Sequence, residues 1–351
     1  MKFDYAIGNP PYQEMYNGES SGANSVYDKF IDAAYAVADK SVLIHPARFL
    51  FNAGSTPKTW NEKMLNSRHF KILSYESNTA KIFPNLSSPI TGGVVISYQD
   101  KTKTYEKIGT FTPYEELNSL FRKVYDAPDF VSLSNVIVTS FAYHFTSKMH
   151  SDNPTAASMM SKGHANDLKS NVFERLPQIF YDEKPDDNND YIQIYGRLGS
   201  DRVFKYIRRD YINDVVNLDK YKLFVSKADG AAGQIGMPIP ARILGKATVI
   251  GKSVGSTESF LSIGAFETKI EAENAAKYVQ SKFTRALLGV LKVTQDITPA
   301  KWKYVPLQDF TPNSDINWSA SIRDIDQQLY KKYGLSQQEI DFIESHVKEM
   351  A

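Results

Sequence analysis

Residues 3–13, FDYAIGNPPYQ, decide how the rest of the chain is read. The run Phe3-Asp4-Tyr5-Ala6-Ile7-Gly8 has the texture of a sheet strand, and it stops at Gly8-Asn9-Pro10-Pro11-Tyr12. A strand ending this way sets the tetrapeptide at the carboxyl edge of a sheet, where open α/β folds place their ligands. Two consecutive prolines fix φ at about −65° and bias the residues before them toward extended backbone. The Asn9 Oδ1 atom and the Pro10 carbonyl become two oxygen acceptors held in place, and Tyr12 offers a flat face for stacking. That set suits a planar amine whose nitrogen lone pair is delocalised, since the acceptors can draw off its two hydrogens and move the nitrogen toward tetrahedral geometry. The plainer reading of the same residues is a proline-stiffened turn after a strand.

Downstream, Val26 to Ala34 reads as a helix with Val26, Phe30 and Ala33/Ala34 on one face. Ser41 to Leu50 reads as a short buried strand stopped by Pro46, with His45 and Arg48 as strand-end residues. A helix around Trp60 to Leu65, a strand at Phe70 to Tyr75, the segment Ile82-Phe83-Pro84-Asn85 and an apolar strand at Gly92 to Tyr98 complete the set. In this order the chain resembles the amino-methyltransferases that use S-adenosylmethionine, and FDYAIGNPPYQ is similar to their catalytic motif IV. The stretch from Val26 to Tyr98 is similar to motifs V to VIII of N6-adenine DNA methyltransferases, in particular the type IIG-like members of type II restriction-modification systems.

The resemblance implies roles for particular residues. Asn9, Pro10, Pro11 and Tyr12 grip an adenine turned out of its duplex. Phe83 supplies a second aromatic contact to that base, and Phe30, with Asn9, lines the cofactor site. It implies S-adenosylmethionine as cofactor and double-stranded DNA as substrate. It also implies a cofactor-binding strand and Gly-rich turn upstream of Asn9, where this sequence has only eight residues. The glycines at Gly230 to Gly233, Gly251 to Gly255 and Gly264 lack the strand, tight turn and helix with an acid about twenty residues on. The expectation is therefore a catalytic portion without its main cofactor motif, inactive alone, whose first strand is an exposed sheet edge inviting an upstream segment or subunit that carries the cofactor half.

The fold class expected is α/β: a partial Rossmann-like methyltransferase sheet, then a mixed α+β target-recognition domain. The boundaries are 1–112 for the catalytic half, closed by a polar hairpin at Gln99 to Lys107; 113–129 for a bridging helix and turn; 130–310 for target recognition; and 311–351 for a helical tail. In the third segment, Val136 to Val138, Phe141 to Phe145, Gln178 to Tyr181, Tyr191 to Tyr195, Tyr221 to Val225 and Ala247 to Ile250 read as short strands, and Asp182 to Asp190 as an exposed acidic loop. Glu271 to Lys292 reads as one long helix, and Ser336 to Glu339 as a capping box.

Formal net charge is +1, but between Arg197 and Lys252 there are eleven cations against five acids, a surplus of six that suits a phosphate backbone. Within that stretch Ser226, Lys227, Gln234, Lys252 and Ser253 are the candidate DNA contacts, with glycines letting the backbone come close. There is no cysteine, and the six histidines have no i,i+4 ligand spacing, which argues against a metal site. With no signal-like segment and no apolar run long enough for a membrane span, the expected location is the cytoplasm. Two other readings stay open: a DNA-binding specificity module without activity, and a methyltransferase acting on protein glutamine, whose amide poses the same lone-pair problem.

Overall fold

The computed structural model describes residues 3–14, 24–51, 54–86, 88–228, 235, 239–292 and 295–350. The chain divides into two compact units, Met1–Pro113 and Tyr114–Ala351.

The first unit holds strands β1 (Phe3–Gly8), β2 (Ala38–Pro46), β3 (Phe70–Glu76) and β4 (Val94–Asp100) with helices α1 (Tyr27–Val37) and α2 (Lys58–Asn66). Its sheet has the order β1-β2-β4-β3. β1 and β2 run parallel, with Phe3 opposite Ala38 and Gly8 opposite Leu43, whereas β4 lies antiparallel between β2 and β3. The sheet is therefore mixed, and only its first pair is parallel. β1 is a border strand, as the sequence suggests, and the face that carries Phe3, Tyr5 and Ile7 is bare: Tyr5 is 60% and Ile7 79% exposed.

The buried face of α1 differs from the expectation. Val26, Tyr27 and Ile31 are buried, Ala34 and Tyr35 pack partly against the same core, and Phe30 points outward. The i, i+4, i+8 spacing of Tyr27, Ile31 and Tyr35 carries more apolar surface than the Val26-Phe30 row and wins the inner face. Past Pro46 the expected strand gives way to a 3-10 turn, Arg48–Phe51, and residues 101–107 form turn and coil where a hairpin was expected.

His45 is fully buried in this core, stacked on Tyr27 at 5.8 Å with its Nε2 2.8 Å from Ser97 Oγ. Burial pushes its pKa down to about 4, partly countered by the Pro46 carbonyl. The folded unit keeps the ring neutral while the unfolded chain takes up a proton below about 6.5, so stability present above that pH is lost as pH falls toward 4. The shift from 6.5 to about 4 corresponds to about 3 kcal/mol. Urea unfolding at pH 7 and pH 4.5 should show that loss in the wild type and a smaller one in His45→Gln; equal losses would remove the assignment.

The second unit contains a sheet of order β5-β11-β8-β9 and a smaller one of order β10-β6-β7. The strands are β5 (Ile137–Val138), β6 (Tyr191–Leu198), β7 (Asp201–Arg208), β8 (Tyr221–Ser226), β9 (Thr248–Ile250), β10 (Val254–Ser256) and β11 (Phe260–Phe266). Helix α3 (Glu115–Tyr125) and the short helices α4 (Ser147–Asp152), α5 (Ala156–Met159) and α6 (Val172–Arg175) precede the small sheet, and α7 (Lys269–Gln280), α8 (Lys282–Leu291), α9 (Ile322–Lys332) and α10 (Gln337–His346) close the unit. α3 packs Leu117, Leu120, Phe121 and Val124 into the same core as Phe283, Trp302 and Ile343. The acidic segment at 182–190 is an irregular, largely exposed loop.

The structure corrects three expectations in this unit. The single helix at 271–292 is two, because Ser281 is extended (φ −63°, ψ 152°) and caps α8 by accepting from the Thr284 amide, while the Asp326 carboxylate takes the amides of Lys282 and Phe283. Phe141 to Phe145 makes only isolated bridges, at His144 and Phe145. The Gln178 to Tyr181 run begins in a 3-10 turn, Pro177–Ile179, since proline cannot donate to a ladder. The Ser336–Glu339 capping box is formed.

Candidate active site

β1 ends at Gly8, and the tetrapeptide comes next, at the carboxyl end of the parallel β1–β2 pair. Asn9 and Pro11 are exposed, while Pro10 and Tyr12 are half-buried. The Tyr12 ring rests partly on the core of the first unit, and its carbonyl accepts from the Val26 amide at 3.2 Å. Gln13 bridges Ser25, and the Glu14 amide donates to the Asn24 carbonyl at 3.1 Å. The chain entering α1 is thereby tied to the chain leaving β1, and Tyr12 is held at the join.

Tyr12 forms one wall of a cleft of about 290 Å³, together with Gln13, Ser25, Tyr27, Pro46, Arg48, Gly54, Ser55 and residues Ser88 to Thr91. That volume lies close to the lower end of small-molecule sites. The Tyr12 hydroxyl and Ser25 Oγ are buried with no hydrogen-bond partner, and burial pushes the Tyr12 hydroxyl up to about 12. Buried polar atoms ordinarily have partners, so these two suit a polar ligand in the cleft. Asn9 is not part of the cleft wall; it stands in the open three residues before Tyr12. Phe83 is half-buried, its amide bonded to the Thr79 carbonyl at 2.8 Å, and it too is absent from the wall. Phe30 is 46% exposed on the outer side of α1. The structure brings Tyr12 to the cleft and leaves Phe30 and Phe83 apart from it. Arg48, read from sequence as a strand-end residue, is a wall residue that sequence reasoning missed.

The candidate DNA contacts fall into two groups. Ser226 and Lys227 leave the end of β8: Ser226 Oγ accepts from Arg202 Nη2 at 2.9 Å, and Lys227 Nζ stands 4.6 Å from the centre of the Phe141 ring. Lys252 lies beside Tyr221 at the start of β8, 5.6 Å from ring centre, and Ser253, with φ +57°, donates to Asp219 Oδ1 at 3.0 Å. At roughly 3.3 Å per residue the two groups are about 16 Å apart along the strand. Gln234 lies outside the described residues.

Part of the basic surplus is neutralised by acids from outside the counted stretch, Asp152, Asp182 and Glu267. Lys205 pairs with Asp182, Arg208 with Asp210 at 2.6 Å and Asp152 at 3.5 Å, and Lys220 with Glu267 at 2.5 Å. Arg209 contacts Asp214 and Asp219 at 2.7 and 3.0 Å. Lys222 is fully buried, its amine donating to the carbonyls of Leu218, Lys220 and Gly251 at 2.8, 3.1 and 3.0 Å, and burial pulls its pKa down to about 7. Among the described residues no helix is long and apolar enough to cross a membrane.

Over 134 residues the chain is 28% identical to a protein of Mycoplasma pneumoniae named an uncharacterized adenine-specific methylase, a stretch covering 36% of this chain and 31% of that protein. The chain therefore spans about a third of the length of the curated relative it matches. The type IIG restriction endonuclease BpuSI aligns with 93% of this chain and 50% of its own, at 8% identity and a TM-score of 0.34. Residues 1–83, which contain β1, the Asn9-Pro10-Pro11-Tyr12 turn, α1, β2 and β3, match the family described as Eco57I restriction-modification methylase.

Proposed function

We propose that the chain supplies the base-gripping portion of a site-specific N6-adenine DNA methyltransferase of a restriction-modification system. The observation that carries the reading is Tyr12, its backbone carbonyl held by the Val26 amide and its side chain at the wall of a cleft beyond the carboxyl end of a parallel strand pair, inside the segment that matches the methylase family. An adenine that leaves the duplex stacks on Tyr12, and its amine donates its two hydrogens to Asn9 Oδ1 and the Pro10 carbonyl. Withdrawing those hydrogens localises the nitrogen lone pair, which is what makes the amine a nucleophile. Proline geometry holds both acceptors where the amine arrives, so no side chain has to search for it. The resemblance assigns Phe83 and Pro11 to the base side as well, though Phe83 stands apart from the cleft wall, and the second unit reads the DNA target through the ends of β8.

S-adenosylmethionine is the methyl donor the family implies. Phe30 and Asn9 are the residues the resemblance assigns to it, and the described residues do not assemble the rest of a cofactor site; among them, the glycines of β10 and β11 lie within strands, and none opens a helix. The bare β1 border, with Tyr5 and Ile7 exposed, suits a further strand, and we assign it to an upstream segment or subunit carrying the cofactor half. Calorimetric titration of residues 1–351 with S-adenosylmethionine should give weak binding only. Tight binding by the chain alone would overturn the split-site reading.

A further inference from the structure

We propose that Arg48 is the anion-recognition residue of the Tyr12 cleft, taking an anionic oxygen group of the bound nucleotide or cofactor; the proposal rests on the reading of that cleft as a substrate site. The side chain is held by two glycines in the left-handed region. A Cβ at Gly92 (φ +88°) would come within 2.7 Å of Arg48 Cγ, and one at Gly54 (φ +94°) within 3.3 Å of Arg48 Cβ. Gly92 is itself fixed, since its carbonyl accepts from the Tyr75 hydroxyl at 3.3 Å and the next residue donates to the Ile90 carbonyl at 3.0 Å. The stem is therefore sandwiched while the residue as a whole remains exposed.

Arg48 shares the cleft wall with Tyr12 and Tyr27. Among the described residues no carboxylate forms part of the wall, whose remaining polar groups include the hydroxyls of Ser25, Ser55, Ser88 and Thr91. Among the described residues Arg48 has no ion-pair partner. One arginine whose stem is held between glycines, beside hydroxyl donors on the same wall, is a receptor for phosphate or carboxylate oxygens. Two sources carry that chemistry here: the phosphate flanking an extruded adenosine, and the carboxylate of the methionine moiety of the cofactor.

Ligand-observed NMR titrations of the full chain with four probes separate these. Adenosine against adenosine 5′-monophosphate reads the phosphate, and 5′-methylthioadenosine against S-adenosylhomocysteine reads the carboxylate. The wild type should prefer the phosphate- or carboxylate-bearing member of one pair by about tenfold or more, the worth of a charge-assisted bond. Arg48→Ala should erase that preference and leave binding of the uncharged member in place, and Arg48→Lys should keep part of it. The pair that responds names the source. Wild-type binding without either preference, or preferences untouched in both variants, would overturn the role of Arg48 while leaving the cleft reading intact. Failure of all four probes to bind would overturn both.

Discussion

On the proposed function, cells that encode Asn9→Ala in place of the wild type are expected to lose N6-methyladenine at the DNA motif that the wild type marks. Removing a single preorganised polar group aimed at the reacting centre costs roughly 10²–10³-fold in rate. Asn9 is exposed at the end of β1, so the fold should hardly notice the change, by roughly 0.5 kcal/mol or less. Rate and stability therefore separate: single-molecule sequencing of host DNA should report the missing mark while thermal unfolding of the purified variant matches the wild type. Asn9→Asp keeps an oxygen acceptor at the same place and should restore part of the methylation. Full modification in the alanine variant would end the proposed role of this turn.

Lys222→Met is expected to cost the second unit about 3 kcal/mol, because the carbonyls of Leu218, Lys220 and Gly251 lose their shared donor inside the protein. The charge itself has the opposite pH signature. With the folded pKa drawn from 10.5 down to about 7, the unfolded chain binds a proton between those values that the folded chain does not. Wild-type stability therefore falls as pH drops from about 10.5 to 7 and levels off below. Denaturant unfolding at pH 7 and pH 9.5 should show the gap between wild type and Lys222→Met widening at the higher pH. A constant gap would mean that the amine keeps its proton throughout. Gly251 precedes the candidate contacts Lys252 and Ser253, so the variant should also loosen that loop.

The first unit was legible where covalent stiffness and alternation agree. Pro10 and Pro11 announce the end of β1, and the apolar run Val94 to Ile96 announces β4, since both signals are local. The inner face of α1 was misread because Phe30 is as apolar as Tyr27 and Ile31, and only the packing against Trp60 and Phe49 decides between rows. β7 escaped notice because Arg202, Lys205 and Arg208 mask its alternation, and it exists by pairing with β6 across Gly199. The break between α7 and α8 is set by Ser281 and by Asp326 from another helix, a contact no window of sequence contains. Likewise Arg48 joins the cleft through Gly54 and Gly92, which fold back on it from six and forty-four residues away. The surplus of positive charge was a local count, and Asp152, Asp182 and Glu267 had no place in it.

The bareness of β1 bears on how such a chain is made. Amides without takers along one flank, with Phe3, Tyr5 and Ile7 in water, adhere to whichever backbone reaches them first, including a second molecule of the same kind. A strand laid along that flank, or a low working concentration, is what would keep the material soluble.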